Sequence, residues 1–321
     1  MPKRALITGG AGFIGSHLAE QLLAAGMQVT IVDDLSTGRF ENIAGLESRS
    51  DVEIIIDTVF NESLIADLIQ KSDVVYHLAS AVGVKLIIDQ PVKTIETIVG
   101  GTEIVLRHCS RFRRPVLITS TSEVYGKGSK IPFHEDDDLV TGATSRHRWA
   151  YACSKTLDEF LALAHHRETH LPVAIVRLFN TVGPRQTGQY GMVVPNFVQA
   201  ALKGNPLVVH GDGNQCRCFA HVADVVGALV KIMSNADCYG QVVNIGNNEE
   251  VSINQLAQRV IQWTGSTSEI QHIAYDEAYG DGFEDMQRRV PCLQRAADLI
   301  GYQPTRDLEK IIRDVADSFS A

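Results

Sequence analysis

Tyr151 and Lys155 stand four positions apart in the run Tyr151-Ala152-Cys153-Ser154-Lys155. On a helix that spacing puts a phenol and an ammonium on one face, a turn apart. A cation beside a phenol favours the phenolate and brings tyrosine toward the range where it can take and return a proton. A second reactive run is Thr119-Ser120-Thr121-Ser122-Glu123-Val124-Tyr125-Gly126, hydroxyls followed by a carboxylate. It leaves the apolar stretch Pro115–Ser120, and the carboxyl ends of strands are where open α/β sheets hold ligands. Each run has an ordinary reading too, an exposed amphipathic helix for the first and a capped turn for the second.

A third motif supplies context. Thr8-Gly9-Gly10-Ala11-Gly12-Phe13-Ile14-Gly15 follows one apolar run and opens a helical pattern. Side chains at Gly9 or Gly12 would block the turn or the approach of a pyrophosphate to backbone N–H groups, and Gly15 permits close helix–strand packing. Phe13 and Ile14, between these glycines, begin the helix. Asp33 ends the next strand pattern, 18 residues after Gly15. A carboxylate there accepts both ribose hydroxyls and repels a 2′-phosphate, which points to NAD rather than NADP. Arg39, placed to lie near the adenosine, is the one residue that pulls the other way. Asp57 closes a third strand pattern and can face an adenine edge, although a plain strand-end Asp would look the same. Ala79, in Leu78-Ala79-Ser80-Ala81, is small enough for a cofactor to approach closely.

These residues need a scaffold that brings several strand ends to one edge. Arg4–Thr8, Gln28–Asp33, Val52–Asp57, Asp73–Leu78 and Pro115–Ser120 are short runs rich in Val, Ile and Leu, suited to strands buried on both faces of a parallel sheet. Between them apolar residues recur three or four apart, clearest at Ile14, Leu18, Leu22 and Leu23. A helix over about 151–169 then leads into a strand over 172–178. The alternation predicts an α/β fold, a doubly wound parallel Rossmann sheet with right-handed crossovers. After Phe179, Gly and Pro punctuate shorter elements, which predicts a smaller, partly interleaved C-terminal substrate domain. The expected division is 1–179 for the cofactor, with elements near 207–236 returning to it, and 180–321 mostly for the substrate.

Composition narrows the class. The 321 residues are 45% apolar and 21% charged, which excludes disordered, collagen-like and disulfide-scaffold chains. Thirty-eight acidic against 29 basic residues give a net charge of −9, which disfavours nonspecific nucleic-acid binding. The cluster Arg107, Arg111, Arg113 and Arg114 falls where a helix ends and complements its dipole. With no secretory signal at the start and no apolar run long enough to span a bilayer, a cytoplasmic protein without membrane contact is expected. Six scattered cysteines read as reduced thiols. Cys216-x-Cys218 and the histidines 165, 166 and 170 lack further ligands at suitable spacing, so no metal is expected.

With these motifs in place, the chain resembles the extended short-chain dehydrogenase/reductase family, and within it the nucleotide-sugar epimerases, dehydratases and decarboxylases. The resemblance covers nearly the whole chain. It includes Arg177-Leu178-Phe179-Asn180-Thr181-Val182-Gly183-Pro184-Arg185, Gly211-Asp212-Gly213-Asn214-Gln215-Cys216-Arg217-Cys218-Phe219 and Asn244-Ile245-Gly246. It implies NAD-dependent chemistry on a nucleotide sugar through a 4-keto intermediate. By the same resemblance Thr121 and Tyr151 relay the proton of the sugar O4, while Lys155 holds the cofactor ribose and tunes Tyr151. Asn180, Arg185 and Arg217 contact the nucleotide diphosphate, for which Arg forks are geometrically suited. A surface Arg in a Gly-rich loop is a credible alternative for Arg185 and a weaker one for Arg217.

The branch within the family turns on Ser122-Glu123. The dTDP-glucose dehydratases carry Asp-Glu there, because expelling a C6 hydroxyl needs an acid as well as a base. GDP-mannose dehydratases use Ser-Glu but usually with NADP, which Asp33 disfavours. Thr-Ser-Glu is similar to the UDP-glucuronate decarboxylases, in which oxidation at C4 makes a β-keto acid that loses CO₂ and leaves charge to be stabilised. Arg148-Trp149-Ala150-Tyr151 and Gln287-Arg288-Arg289-Val290-Pro291 also resemble that branch. They imply Arg289 as the carboxylate or proton-transfer residue, with Glu123 as its acidic counterpart. The expected reaction is decarboxylation of UDP-glucuronate to UDP-xylose or its 4-keto precursor. The alternative is a UDP-glucose or UDP-glucuronate 4-epimerase; a dehydratase or a noncatalytic NAD-binding sensor ranks lower. Ile98 and Cys292 depart from the family's usual Asn and Asp. Lys85 falls in the loop after the fourth strand, near the expected sugar. A homodimer through the helices near 91–110 and 149–169 is implied by resemblance.

Overall fold

The computed structural model describes residues 3–80, 90–146, 148–188, 192–274, 277 and 286–320, with the Arg148 and Ser320 side chains left out. Lys85 and Ala81 therefore lie outside the described residues. Strands β1 (Arg4–Thr8), β2 (Gln28–Asp33), β3 (Val52–Ile56), β4 (Val74–His77), β5 (Val116–Thr121) and β6 (Val173–Leu178) form one parallel sheet. Two short strands, β7 (Thr181–Val182) and β8 (Leu207–His210), stand outside it, as do β9 (Cys216–Cys218) and β10 (Ala220–His221). The seventh strand, β11 (Val242–Ile245), joins beside β6, so the order runs β11-β6-β5-β4-β1-β2-β3. The order reverses between β1 and β4, the switch point at which doubly wound sheets open a crevice.

Alternation within the strands explains the layers. In β1, Ala5 and Ile7 belong to one core and Leu6 to another, because successive side chains leave opposite faces of the sheet. On the first face lie α1 (Phe13–Ala24), through Leu18 and Leu22, and a late helix, Val222–Met233, through Val225 and Leu229. The second face is covered by α2 (Glu62–Lys71), α3 (Pro91–Phe112) and α4 (Arg148–Thr169) through Ile65, Val105, Leu106 and Ala162. The inner strands are nearly free of solvent, whereas the edge strand β3 is partly exposed, with Ile56 at 50%.

A separate apolar core gathers α5 (Val193–Leu202), α7 (Ile253–Thr264) and the helix Leu308–Ser320, whereas α6, the Val222–Met233 helix, stays with the large sheet. Beyond β11, β12 (Glu250–Ser252) pairs antiparallel with β9, β13 (Ile270–Ile273) pairs with β8, and β14 (Arg288–Arg289) runs parallel to β9. Of the stretch 207–236, therefore, the helix packs on the large sheet while β8 belongs to a small one.

Candidate active site

The carboxyl ends of the parallel strands open into one cleft of about 1290 Å³. Its lining includes Gly9, Gly12, Phe13, Ile14, Gly15, Asp33, Asp57 and Ala79 from the Gly-loop side. It also includes Thr121, Ser122, Glu123, Tyr151, Lys155, Asn180, Arg185, Arg217 and Arg289. The structure thus brings these candidate cofactor, catalytic and substrate residues to a single cleft, though they run from Gly9 to Arg289 in the chain.

At the cofactor end the loop has no room for side chains. Gly9 has φ +76°, and a Cβ on it would stand 2.7 Å from the Ala79 nitrogen; one on Gly15 would overlap the Gly9 carbonyl. Asp33 is buried at the end of β2, one carboxylate oxygen accepting from the Ala11 N–H and the other from Leu35, each at 2.9 Å. Burial pushes its carboxyl up, and these hydrogen bonds oppose the rise. Ala11 N–H ties the carboxylate to the glycine loop, so the candidate pyrophosphate cradle and ribose acceptor are joined directly. The donor chemistry and the side-chain-free cradle fit a dinucleotide. Asp57 lines the same wall, but its oxygens accept from Thr58 N–H and Asn61 Nδ2 at 2.7 and 2.8 Å, the turn that starts α2. Arg39 is exposed at the rim beside Glu41, at 3.8 Å.

Tyr151 and Lys155 lie one turn apart on α4, both buried. The Thr121 hydroxyl, at the end of β5, hydrogen-bonds the Tyr151 phenol and accepts from the Glu123 N–H at 3.2 Å. The expectation that Lys155 would bring the phenol down is not met by the protein groups alone. Burial pushes Tyr151 well up, and Glu123 and Asp158 add to the rise. Burial is the main cause, and Asp158, whose carboxylate stands 3.3 Å from the Lys155 ammonium, offsets the lysine's charge. A cationic ring beside the phenol is the further element that a lowered value needs. Ile98, at the helix position where resemblance led to an expected Asn, is 1% exposed and packs on Tyr151.

On the far wall the Glu123 carboxylate meets the Arg289 guanidinium at 3.5 Å. β14 pairs in register with β9, so Arg289 sits directly beside Arg217. Arg217 is buried, and the Arg289 side chain is 11% exposed. Arg217 also donates to the Cys216 and Gln287 carbonyls at 2.7 and 3.4 Å, which fixes its stem. Asn180 donates to the Cys218 carbonyl at 3.0 Å, and Arg185 pairs with Glu20 on α1 while lining the cleft. Cys292 serves through its backbone, donating to the Phe133 carbonyl at 2.8 Å.

Sequence reasoning missed the supports. Phe133 stacks on Tyr125 with ring centroids 4.6 Å apart, and its backbone bonds Val290 and Cys292, anchoring the Arg289 strand to the Glu123 turn. Asp158, His77 and Thr102 were missed as well. Only Asp158 left a signal, an acidic residue three positions after Lys155 on its helix. Among the described residues no group of His, Cys, Asp and Glu could hold a metal ion, and no helix is long and apolar enough to cross a membrane.

Comparison with known proteins agrees with this geometry. The family model described as GDP-mannose 4,6 dehydratase matches residues 6–315. A UDP-N-acetyl-alpha-D-glucosaminuronate decarboxylase from Bacillus cytotoxicus is 42% identical over 320 residues, covering 99% of this chain and 98% of its own. UDP-glucuronic acid decarboxylase 1 of Xenopus tropicalis is 36% identical over 308 residues, 96% of this chain and 70% of that one. Among solved structures, UDP-glucuronic acid 4-epimerase from Bacillus cereus, in complex with UDP-glucuronic acid and NAD, superposes with a TM-score of 0.88. It is 27% identical, with 99% of each chain covered.

Proposed function

The chain belongs to the GDP-mannose 4,6 dehydratase family of extended short-chain dehydrogenases/reductases, and from that premise we propose that it is an NAD-dependent decarboxylase of a UDP-activated uronic acid. The observation that carries this reading is the Glu123–Arg289 pair at 3.5 Å in the cleft that Tyr151 and Lys155 line. A 4-epimerase needs a proton acceptor and room for the ketone to turn over. A guanidinium that holds a uronate carboxylate would serve either reaction, but only decarboxylation leaves a carbanion at C5 that needs an acid beside it.

NAD, held by the Gly9–Gly15 loop, Asp33 and Lys155, supplies the reversible oxidation at sugar C4. Tyr151 takes the O4 proton, with the Thr121 hydroxyl bridging phenol and sugar. The ketone so formed stands β to the C5 carboxylate. Arg289 exchanges Glu123 for that carboxylate and holds it until the C5–C6 bond breaks and CO₂ leaves. The electron pair passes onto O4, where Tyr151 and Thr121 donate to the enolate, and C5 then takes a proton on the Glu123–Arg289 side. Arg217, with Asn180 and Arg185, binds the diphosphate.

The 42% relative, matched over almost the full length of both chains, makes the 2-acetamido uronate the first substrate to try and UDP-glucuronate the second. Proton NMR of the purified protein with each UDP-uronate and NAD tests the reading. Released CO₂ with loss of the uronate carboxylate supports it, whereas inversion at C4 with the carboxylate kept makes the protein a 4-epimerase. The reading includes a homodimer, supported by Val92 and Ile95 on α3 and Leu157 and Phe160 on α4, apolar residues left exposed on two helices that pack together. It also places the protein in the cytoplasm, which the six unpaired cysteines suit.

A further inference from the structure

Asp158 is the feature of the site that the reaction above does not use. It is wholly buried, facing Lys155 Nζ at 3.3 Å with one oxygen, while the other has no hydrogen-bond donor among the described residues. A buried carboxylate partnered by one ammonium and one hydroxyl, with an oxygen left over, costs stability relative to an apolar residue of similar size. Such a group kept beside the Lys155–Tyr151 pair calls for a reason in the chemistry.

Its surroundings form a directed chain. The Ala79 N–H donates to Thr8 Oγ1 at 3.4 Å, and Thr8 Oγ1 meets His77 Nδ1 at 2.7 Å. His77 Nε2 meets Thr102 Oγ1 at 3.2 Å, and the Thr102 hydroxyl bears on the Asp158 carboxylate. The donors and acceptors are consistent when Thr8 donates to Nδ1, Nε2–H donates to Thr102, and Thr102 donates to Asp158, which makes His77 the neutral Nε2–H tautomer. Burial and Lys155 push His77 down to about 3, in keeping with a neutral ring. Both ends of the chain, Ala79 and Lys155, line the cleft. Ile98, one turn before Thr102 on α3, is apolar, so no polar route runs through that position.

We propose that Asp158 is the positioning residue of the Lys155–Tyr151 pair, tying the ammonium through Thr102, His77 and Thr8 to the cofactor-facing end of β4. Its negative charge has a second consequence. Together with Glu123 it opposes loss of the Tyr151 proton. The groups that face Asp158 are Lys155 and Glu159 on its own helix, Thr102 on α3, and His77 on β4 behind Thr102. Of these Lys155 alone is cationic. The inference rests on reading Lys155 and Tyr151 as the cofactor-and-proton pair, and not on which uronate is the substrate.

The test uses Asp158→Asn and Asp158→Ala in the NAD-bound protein, with tyrosine ionisation followed by NMR of ¹³Cζ-labelled tyrosine and Tyr151→Phe assigning the signal. Removing the nearby charge should lower the Tyr151 midpoint by about one pH unit and weaken NADH binding several-fold. A midpoint unchanged or raised, with NADH affinity intact, overturns the proposal. Wild-type protein gives an independent reading: ¹⁵N imidazole spectra should show His77 as the neutral Nε2–H tautomer throughout the range from about pH 5 to 9. A protonated ring or the other tautomer there overturns the chain even if neither variant folds. None of these measurements needs turnover, so they stand apart from the outcome of the decarboxylation assay.

Discussion

Replacing Glu123 by Gln keeps the size of the side chain and removes the charge that faces Arg289 at 3.5 Å. If Glu123 serves the decarboxylation, Glu123→Gln should slow CO₂ release by about 100-fold, roughly 2.7 kcal/mol of barrier, while oxidation at C4 persists. Stopped-flow nicotinamide absorbance beside trapped CO₂ separates the two steps, and undiminished CO₂ release would leave Glu123 as a turn residue only. Asp33 makes a pH prediction at the same scale. Its carboxyl is raised by burial, so the folded chain holds the proton more tightly than the unfolded one does. The ribose hydroxyls need the carboxylate form. NAD affinity should therefore be full at neutral pH and fall on acidification, starting above the range of an ordinary Asp. The same linkage makes the cofactor-free protein gain, not lose, stability from this group as pH drops through its raised value. Calorimetric titration of NAD between about pH 8 and 5 checks this against Asp33→Asn, whose affinity should be lower and nearly independent of pH.

At the scale of elements, the question is what keeps the short strand β14 against the Glu123 turn. Two residues cannot hold themselves in place. The chain around Phe133 does it, with ring on Tyr125 and backbone on Val290 and Cys292. Tyr125 is fixed in turn by Asn244 through its hydroxyl at 2.7 Å and by the Arg177 guanidinium over its face. Arg177 forks onto Glu159 of α4, closing a brace from the catalytic helix to the Arg289 strand. Phe133→Ala should lower stability by about 3 to 5 kcal/mol and, where the protein still folds, raise KM for the UDP-sugar more than it lowers kcat. Denaturant melts with substrate kinetics measure both; an unchanged KM would mean that Arg289 is held by β9 alone. At this scale the sequence was readable where periodicity was regular. The helix expected near 151–169 is Arg148–Thr169, and the first six strands lie within a residue or two of their apolar runs. The brace was not readable, because Phe133 sits in a loop with no periodic neighbours.

For the whole molecule, the exposed apolar residues of α3 and α4 carry the prediction. Phe160 is 68% exposed and Val92 67%, on helices whose other faces are buried against the sheet and each other. If these faces meet a second copy of the chain, Phe160→Glu should give a monomer by sedimentation at micromolar concentration, with its NAD cleft intact. A wild type that is already monomeric would remove the homodimer from the reading. The candidate site residues announced themselves through side-chain type and local spacing. A glycine loop, a Tyr–Lys pair a turn apart and a Thr-Ser-Glu run are local patterns, and local geometry follows from them. Their meeting in one cleft, the register that sets Arg289 beside Arg217, and the buried Asp158 that offsets Lys155 came only with the fold. Burial and partner choice between residues far apart in the chain depend on how sheets and helices pack. A side chain's charge is written in the sequence, but what neutralises it is decided in three dimensions.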